Sequence, residues 1–175
     1  MKNTIVFKNF SKLTIKERKN VYIWRNLEYI RKNMDNPEIF PYRSHVEFCK
    51  SLATRTDKIY FLVIVNNDPC GVLDFVDFDK EQKKAESGFY IIKEYNHFAY
   101  AVSRCANYLC NYLGIESVYT HVLNFNTKAI LYNLMKLKGS LIKEDKKSVY
   151  FKFSTFYEDF NNDSFWSQYD CKIVM

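Results

Sequence analysis

The chain has 175 residues and a formal net charge of +6; 47% of its residues are hydrophobic and 18% aromatic, with 4 glycines and 3 prolines. This suits one domain with a ring-rich core and leaves little material for long flexible linkers. No apolar run approaches the length of a membrane span, and "MKNTIVFKNF" has no long apolar region of a signal peptide, so neither a membrane protein nor a secreted one is expected and the chain reads as cytoplasmic.

"TIVFKNF" (4–10) opens the chain as a strand. "TIKERKNVYIWRN" (14–26) follows as a helix with a capping box, Thr14 and Glu17. Residues 27–43 mix aromatics, charges and two prolines, and read as a partly irregular wall of a binding cleft. "SHVEFCKSL" (44–52) repeats the capping device with Ser44 and Glu47, and puts His45, Phe48, Cys49 and Leu52 on one helical face.

"KIYFLVIV" (58–65) and "CGVLDFVDFD" (70–79) are strands around the turn "NNDP", and "AESGFYII" (85–92) is a third consecutive strand, so an antiparallel meander is expected. The next helix carries Phe98, Ala101, Val102, Cys105, Ala106, Leu109 and Leu113 at helical spacing, with Gly114 at the C-cap. "SVYTHVL" (117–123) returns as a strand, "NTKAILYNLMKL" (126–137) is a helix opened by Asn126, and "SLIKED" with "SVYFKFSTF" closes the domain as a hairpin. The five cysteines include no C-x-x-C pair and read as free, mostly buried thiols.

The last twenty residues hold four acidic residues against one lysine, leaving −3 there and +9 on residues 1–155. A basic body of this kind suits an anionic partner or a solvated lysine surface. The aromatics fall within strand and helix patterns, not on an exposed stacking platform, so nucleic acid is not the expected partner. The expected organisation is one domain over 1–156 and an acidic, aromatic tail over 157–175 that covers a sheet edge or a partner surface. The strand after the long helix has a crossover connection and should run parallel to the strand before it. The fold class is therefore α+β: a mostly antiparallel mixed sheet with one central parallel pair.

In that order, the elements resemble the GCN5-related N-acetyltransferase (GNAT) family, an α/β/α sandwich whose central parallel pair splays apart. The stretches carrying the resemblance are "WRN" at 24–26, Met34, "HVEF" from His45, "YFLV" at 60–63, "GVLDFV" at 71–76, "ESGFYII" at 86–92 and "NTKAI" at 126–130, across about residues 5–155. Within the family, the chain is similar to members that acetylate a UDP-linked amino-deoxy sugar in the pseudaminic acid pathway before flagellin glycosylation.

The resemblance implies acetyl-CoA as co-substrate and no metal. It implies a pyrophosphate grip at the start of the long helix by Asn96, His97, Phe98, Ala99, Tyr100 and Ala101, with His97 where the family has glycine. Backbone N–H groups at a helix N-terminus suffice for such a grip, provided that His97 keeps a negative φ; the imidazole either faces the phosphate or lies on the surface. It further implies an acetyl oxygen polarised by an N–H near Ile91 and Ile92, and cofactor contacts from Asn126 and Ala129. For the leaving thiolate it implies a tyrosine acid, which here is Tyr132, one residue earlier than the family spacing. Glu86 is the expected base, with Asp74 and His45 as alternatives.

Arg25, Asn26, Met34 and His45 are the implied acceptor contacts. Trp24, Arg25 and Asn26 also have a structural reading, as core residue, salt-bridge partner and helix end. Two alternatives to the sugar acetyltransferase stay open: a GNAT acting on a protein N-terminal amine, as ribosomal-protein acetylases do, and a non-catalytic member that binds CoA. A homodimer is compatible with the sequence.

Overall fold

The computed structural model describes residues 2–154 and 164–175. In chain order the elements are β1 (Asn3–Asn9), α1 (Ile15–Asn26), α2 (Glu28–Arg31), α3 (Tyr42–Ser51), β2 (Ile59–Val65), β3 (Asp68–Asp79), β4 (Lys84–Ile91), α4 (Ala99–Leu113), β5 (Ser117–Leu123), α5 (Thr127–Leu131), β6 (Ser140–Glu144), β7 (Ser148–Ser154), α6 (Ser164–Gln168) and β8 (Tyr169–Val174). The strands form one sheet in the order β6-β7-β5-β4-β3-β2-β1-β8.

Side-chain alternation divides this sheet into two apolar faces. Phe61, Val63, Leu73, Phe75, Ala85 and Ile91 point to one face and pack against Val102, Cys105 and Leu109 of α4. Leu62 and Val72 point to the other, where Val21 of α1 and Cys49 of α3 cover them together with Phe10 and Leu13. The helices sit where their apolar stripes can be buried, which is what turns the strand-helix order into a layered α+β sandwich.

Local chemistry sets the junctions. The Thr14 hydroxyl accepts from the Glu17 amide while the Glu17 carboxylate accepts from the Thr14 amide, so the expected capping box forms. The second expected box does not form. The third helix starts earlier, at Tyr42, with Pro41 as its N-cap, and no side chain caps it. The fixed φ of proline pre-sets the helix entry, so Ser44 is already inside the helix and Glu47 pairs with Arg43 instead. Asn66 and Asn67 take positive φ (51° and 74°) in the two-residue β2–β3 hairpin. Gly114 ends α4 in the left-handed region at φ 72°.

Antiparallel pairing joins β1–β2–β3–β4, as the meander requires. β4 and β5 form the expected parallel pair. A second parallel pair departs from the expected single one: β8 lies along β1, from Asn3 against Tyr169 to Lys8 against Val174. The end of the chain thus covers a sheet edge, as one of its two expected roles required. The expected domain limit at 156/157, the end of the last expected strand at 155–156, and Glu158, Asp159 and Asp163 of the tail lie outside the described residues.

The expected helix 126–137 is shorter as an α-helix. α5 gives way at Tyr132 to a wider π turn closed by the Leu137 amide on the Tyr132 carbonyl. Four cysteines are buried free thiols, and Cys171 is a free thiol at intermediate exposure.

Candidate active site

The site begins where the central ladder stops. β4 and β5 are paired only from Lys84–Ser117 to Glu86–Tyr119. Above that level β4 stays bonded to β3 alone, and the Ile92 amide donates to the Cys70 carbonyl at 2.9 Å. Successive strand amides point in opposite in-plane directions, so the Ile91 amide faces the β5 side, into the gap. Gly71 permits this arrangement: a Cβ there would collide with the Tyr90 carbonyl, so only glycine lets β3 come so close to β4.

Between β4 and α4 the chain does not turn in one step. Residues 93–98 wind as a 3-10 segment, with the Tyr95 amide on the Ile92 carbonyl at 3.0 Å and the Ala99 amide on that of Asn96. The Tyr95 hydroxyl donates to Asp68 at 2.9 Å, and the Lys93 ammonium lies 4.3 Å from the centre of the Tyr29 ring, so the turn is tied to both β3 and α2. His97 does not have a positive φ, and its ring packs on Phe98 at 4.3 Å. A histidine therefore occupies the position of the family glycine without backbone strain. No side chain caps the start of α4 at Phe98; Ala101 is buried and Tyr100 is exposed.

On the α4 face of the gap stands Tyr132. Its hydroxyl is 3.0 Å from the Ser103 hydroxyl of α4, and its ring is 6.2 Å from that of Phe89 of β4. Burial pushes the Tyr132 hydroxyl above the ordinary tyrosine range. Asn133, at the family spacing, turns back onto its own helix and donates to the Ala129 carbonyl at 2.8 Å. Between the two neighbours it is Tyr132 that points inward. Asn126 is the N-cap of α5, accepting from the Ala129 amide at 3.3 Å, and Ala129 packs on the core between β5 and β7.

The α1–α3 face is charged. Glu86 reaches His121 Nδ1 at 2.5 Å, His121 Nε2 meets Asp35 at 2.9 Å, and the Lys147 ammonium holds the other Asp35 oxygen at 3.0 Å. The Glu86 hydrogen bond outweighs burial and raises His121 above the usual imidazole range. Burial pushes Asp35 upward, but Lys147 and His121 outweigh it and hold Asp35 below the usual carboxylate range. Asp74 of β3, paired with Tyr60 and Gly88 on its two sides, is pushed up to about 7, chiefly by burial and further by the Glu86 charge. Tyr60 and Tyr90 on the same face are also raised, mainly by burial.

Arg25 enters this face from α1. Its Nη2 donates to the Asn36 carbonyl at 2.8 Å, its guanidinium carbon is 5.7 Å from the Phe40 ring centre, and its buried Nη1 has no partner among the described residues. Asn26 donates to the Tyr22 carbonyl at 3.0 Å and leaves a buried Oδ1 without a partner among the described residues. Trp24 packs on the second core cluster. Met34 is half-buried in the segment that follows α2.

His45 lies elsewhere: it is buried at 4% exposure among Tyr22, Phe40 and Tyr42, with Nε2 on the Arg18 carbonyl at 3.1 Å. Burial lowers it below the usual imidazole range. It packs α1 against α3. The sequence reading missed His121, Asp35 and Ser103. His121 carried one usable signal: it alternates with Tyr119, and so shares the face of Glu86 across the parallel pair.

A parallel pair that splays beside a helix N-terminus is the fold of the GCN5-related N-acetyltransferases, as the sequence resemblance implies. No family model matches the chain. The particular relatives are narrower. In sequence the chain is similar to the acetyltransferase PseH of Campylobacter jejuni, 28% identical over 148 residues that span 84% of this chain and 91% of that protein.

It is also similar to the crystal structure of C. jejuni N-acetyltransferase PseH in complex with acetyl coenzyme A. The TM-score is 0.69 at 26% identity, covering 86% of this chain and 98% of the other. FdhC, a nucleotide-linked sugar GNAT, shares the fold at a TM-score of 0.71 and 20% identity, over 88% of this chain and 89% of its own. Fold and sequence similarity together support an acetyl-CoA-dependent acyltransferase.

Proposed function

We propose that the chain transfers the acetyl group of acetyl-CoA to the amine of a UDP-linked amino-deoxy sugar, in the cytoplasm. The observation that carries the reading is a gap with two chemically different walls, ending the β4–β5 ladder at Glu86–Tyr119, in a chain similar to PseH. Acetyl-CoA enters from the α4 side, with its pyrophosphate on the amides of residues 96–101 and its thioester in the gap. The acceptor enters from the α1–α3 side.

In the reaction the neutral amine attacks the acetyl carbonyl, a C–N bond forms and the C–S bond breaks. The Ile91 amide donates to the developing oxyanion. Tyr132 gives its proton to the departing thiolate, and Glu86 takes the proton that the amine sheds. Water restores both groups. Arg25 supports the sugar-nucleotide reading, because its buried, unpartnered Nη1 can pair with a diphosphate oxygen. Met34 offers adaptable apolar contact to a deoxy-sugar methyl or a base.

Two features support catalysis over a non-catalytic CoA-binding member: His97 has no positive φ, and the Tyr132 hydroxyl points inward to within 3.0 Å of Ser103 of α4.

The test is in two stages. Acetyl-CoA should raise the melting temperature by mass action. Thiol release should then depend on an added UDP-amino sugar. Release with peptide amines and none with the sugar would favour a protein N-terminus as acceptor; stabilisation without any release would favour the non-catalytic member.

A further inference from the structure

We propose that His121 is a positioning residue of the acceptor site: by holding Glu86 on one ring nitrogen and Asp35 on the other, it fixes the proton-accepting carboxylate relative to the Met34 segment. This deepens the function proposed above and rests on it.

The geometry argues for it in three ways. First, His121 stands two residues past the last rung of the β4–β5 ladder, on the acceptor face, at the throat of the gap. Its ring joins elements far apart in the chain: Glu86 of β4, at 2.5 Å, and Asp35 of the segment between α2 and α3, at 2.9 Å.

Second, two arginines hold that segment from its own side of the cleft. Arg25 binds the Asn36 carbonyl at 2.8 Å and Arg31 binds the Pro37 carbonyl at 2.9 Å. The imidazole and Lys147 tie it across to β5 and to the β6–β7 turn.

Third, the arrangement demands a charged ring. An ionised carboxylate only accepts hydrogen bonds, so two of them need two N–H donors, and only the imidazolium has two. With Lys147, the cluster holds two anions and two cations. The titratable groups around the ring are Glu86 from β4, Asp35 from the α2–α3 segment, Lys147 from the β6–β7 turn and Tyr150 from β7, 5.7 Å away. Asp74 stands behind Glu86, Asp145 is bonded to Tyr150, and Lys143 of β6 lies over the Tyr150 ring at 4.2 Å.

The charge state follows with a definite sign. His121 is raised, so the imidazolium persists below its elevated midpoint and is lost as pH rises through it. A neutral ring keeps one N–H and turns a lone pair towards the other carboxylate. The tie then opens on one side and the acceptor pocket loosens.

The test uses the full chain, with His121→Gln, His121→Ala and Asp35→Asn. In the parent, the His121 ring should titrate by NMR above the ordinary histidine midpoint, and Asp35→Asn should lower that midpoint by about half a pH unit or more. The KM for a UDP-linked amino-deoxy sugar should rise about tenfold in both His121 variants, the loss expected for a charge-assisted hydrogen bond, with the KM for acetyl-CoA changed less than about twofold. In the parent, the acceptor KM should also climb on the alkaline side at the NMR midpoint, and His121→Gln should abolish that limb.

An unchanged acceptor KM, or an alkaline limb that survives in His121→Gln, overturns the proposal. So does a parent midpoint at or below the ordinary value. If His121→Ala fails to fold, His121→Gln and Asp35→Asn decide. If the parent binds acetyl-CoA but acetylates no sugar, the proposed acceptor fails, and the ring titration still decides whether the tie exists.

Discussion

The two walls of the β4–β5 gap are built from different materials. The α4 wall is mostly apolar, with main-chain amides and one pair of hydroxyls, Tyr132 and Ser103. The α1–α3 wall carries Glu86, His121 and Asp35 in one charged network, with Asp74 beside Glu86, and it also carries Arg25, which binds the Asn36 carbonyl. The difference suits the two substrates proposed here. Every non-proline residue supplies an N–H, so an amide site tolerates sequence change, as His97 in the glycine position illustrates. A charged wall does not, because each group there sets the protonation of its neighbours.

The largest expected effect falls on the α4 wall. Tyr132→Phe should lower kcat about 10²–10³-fold with little change in acetyl-CoA affinity, since it removes a proton donor and leaves the amide grip intact. An unchanged kcat in presteady-state and steady-state assays would remove Tyr132 from the reaction.

On the opposite wall, Arg25→Ala should raise the acceptor KM about 10-fold or more and leave the acetyl-CoA KM alone. Equal changes in both constants would mean that the two walls are not functionally separate.

The smallest effect is on stability. Burial pushes Asp74 up to about 7, well above an ordinary aspartate, so the folded state binds an extra proton between those two pKa values. Stability therefore declines as pH rises from about 4 to about 7, and the whole cost is present above that. Asp74→Asn should melt a few degrees higher than the parent at pH 8, and the two curves should converge near pH 4. A parent curve that is flat over this range would contradict the buried-carboxylate assignment.

Much of this was legible in the sequence, for stated reasons. The strands of the meander alternate, α4 keeps its apolar stripe to Gly114, and Thr14 with Glu17 marks a helix start. The second capping pattern misled because Pro41 offered an earlier start than Ser44. The final strand was marked only by the alternation of Tyr169, Cys171 and Ile173 with Asp170, Lys172 and Val174, six residues after an acidic stretch.

The charged wall was the hardest part to read. Asp35 lies in an irregular segment with no period, and nothing local links it to His121, 86 positions away. His45, the histidine that the resemblance implied for the acceptor site, is buried. Tyr132 was a matter of angle: one residue along a helix rotates a side chain by about 100°, and its inward direction emerged only with the packing against Ser103 and Phe89.

Amide hydrogen exchange with and without acetyl-CoA tests the central claim, that the cofactor sits in the gap above Glu86 and on the start of α4. The account predicts slowed exchange over residues 87–91 and 97–101, with β1 and β2 unchanged. Saturating acetyl-CoA that leaves both segments exchanging as before, or that protects another surface instead, would contradict it.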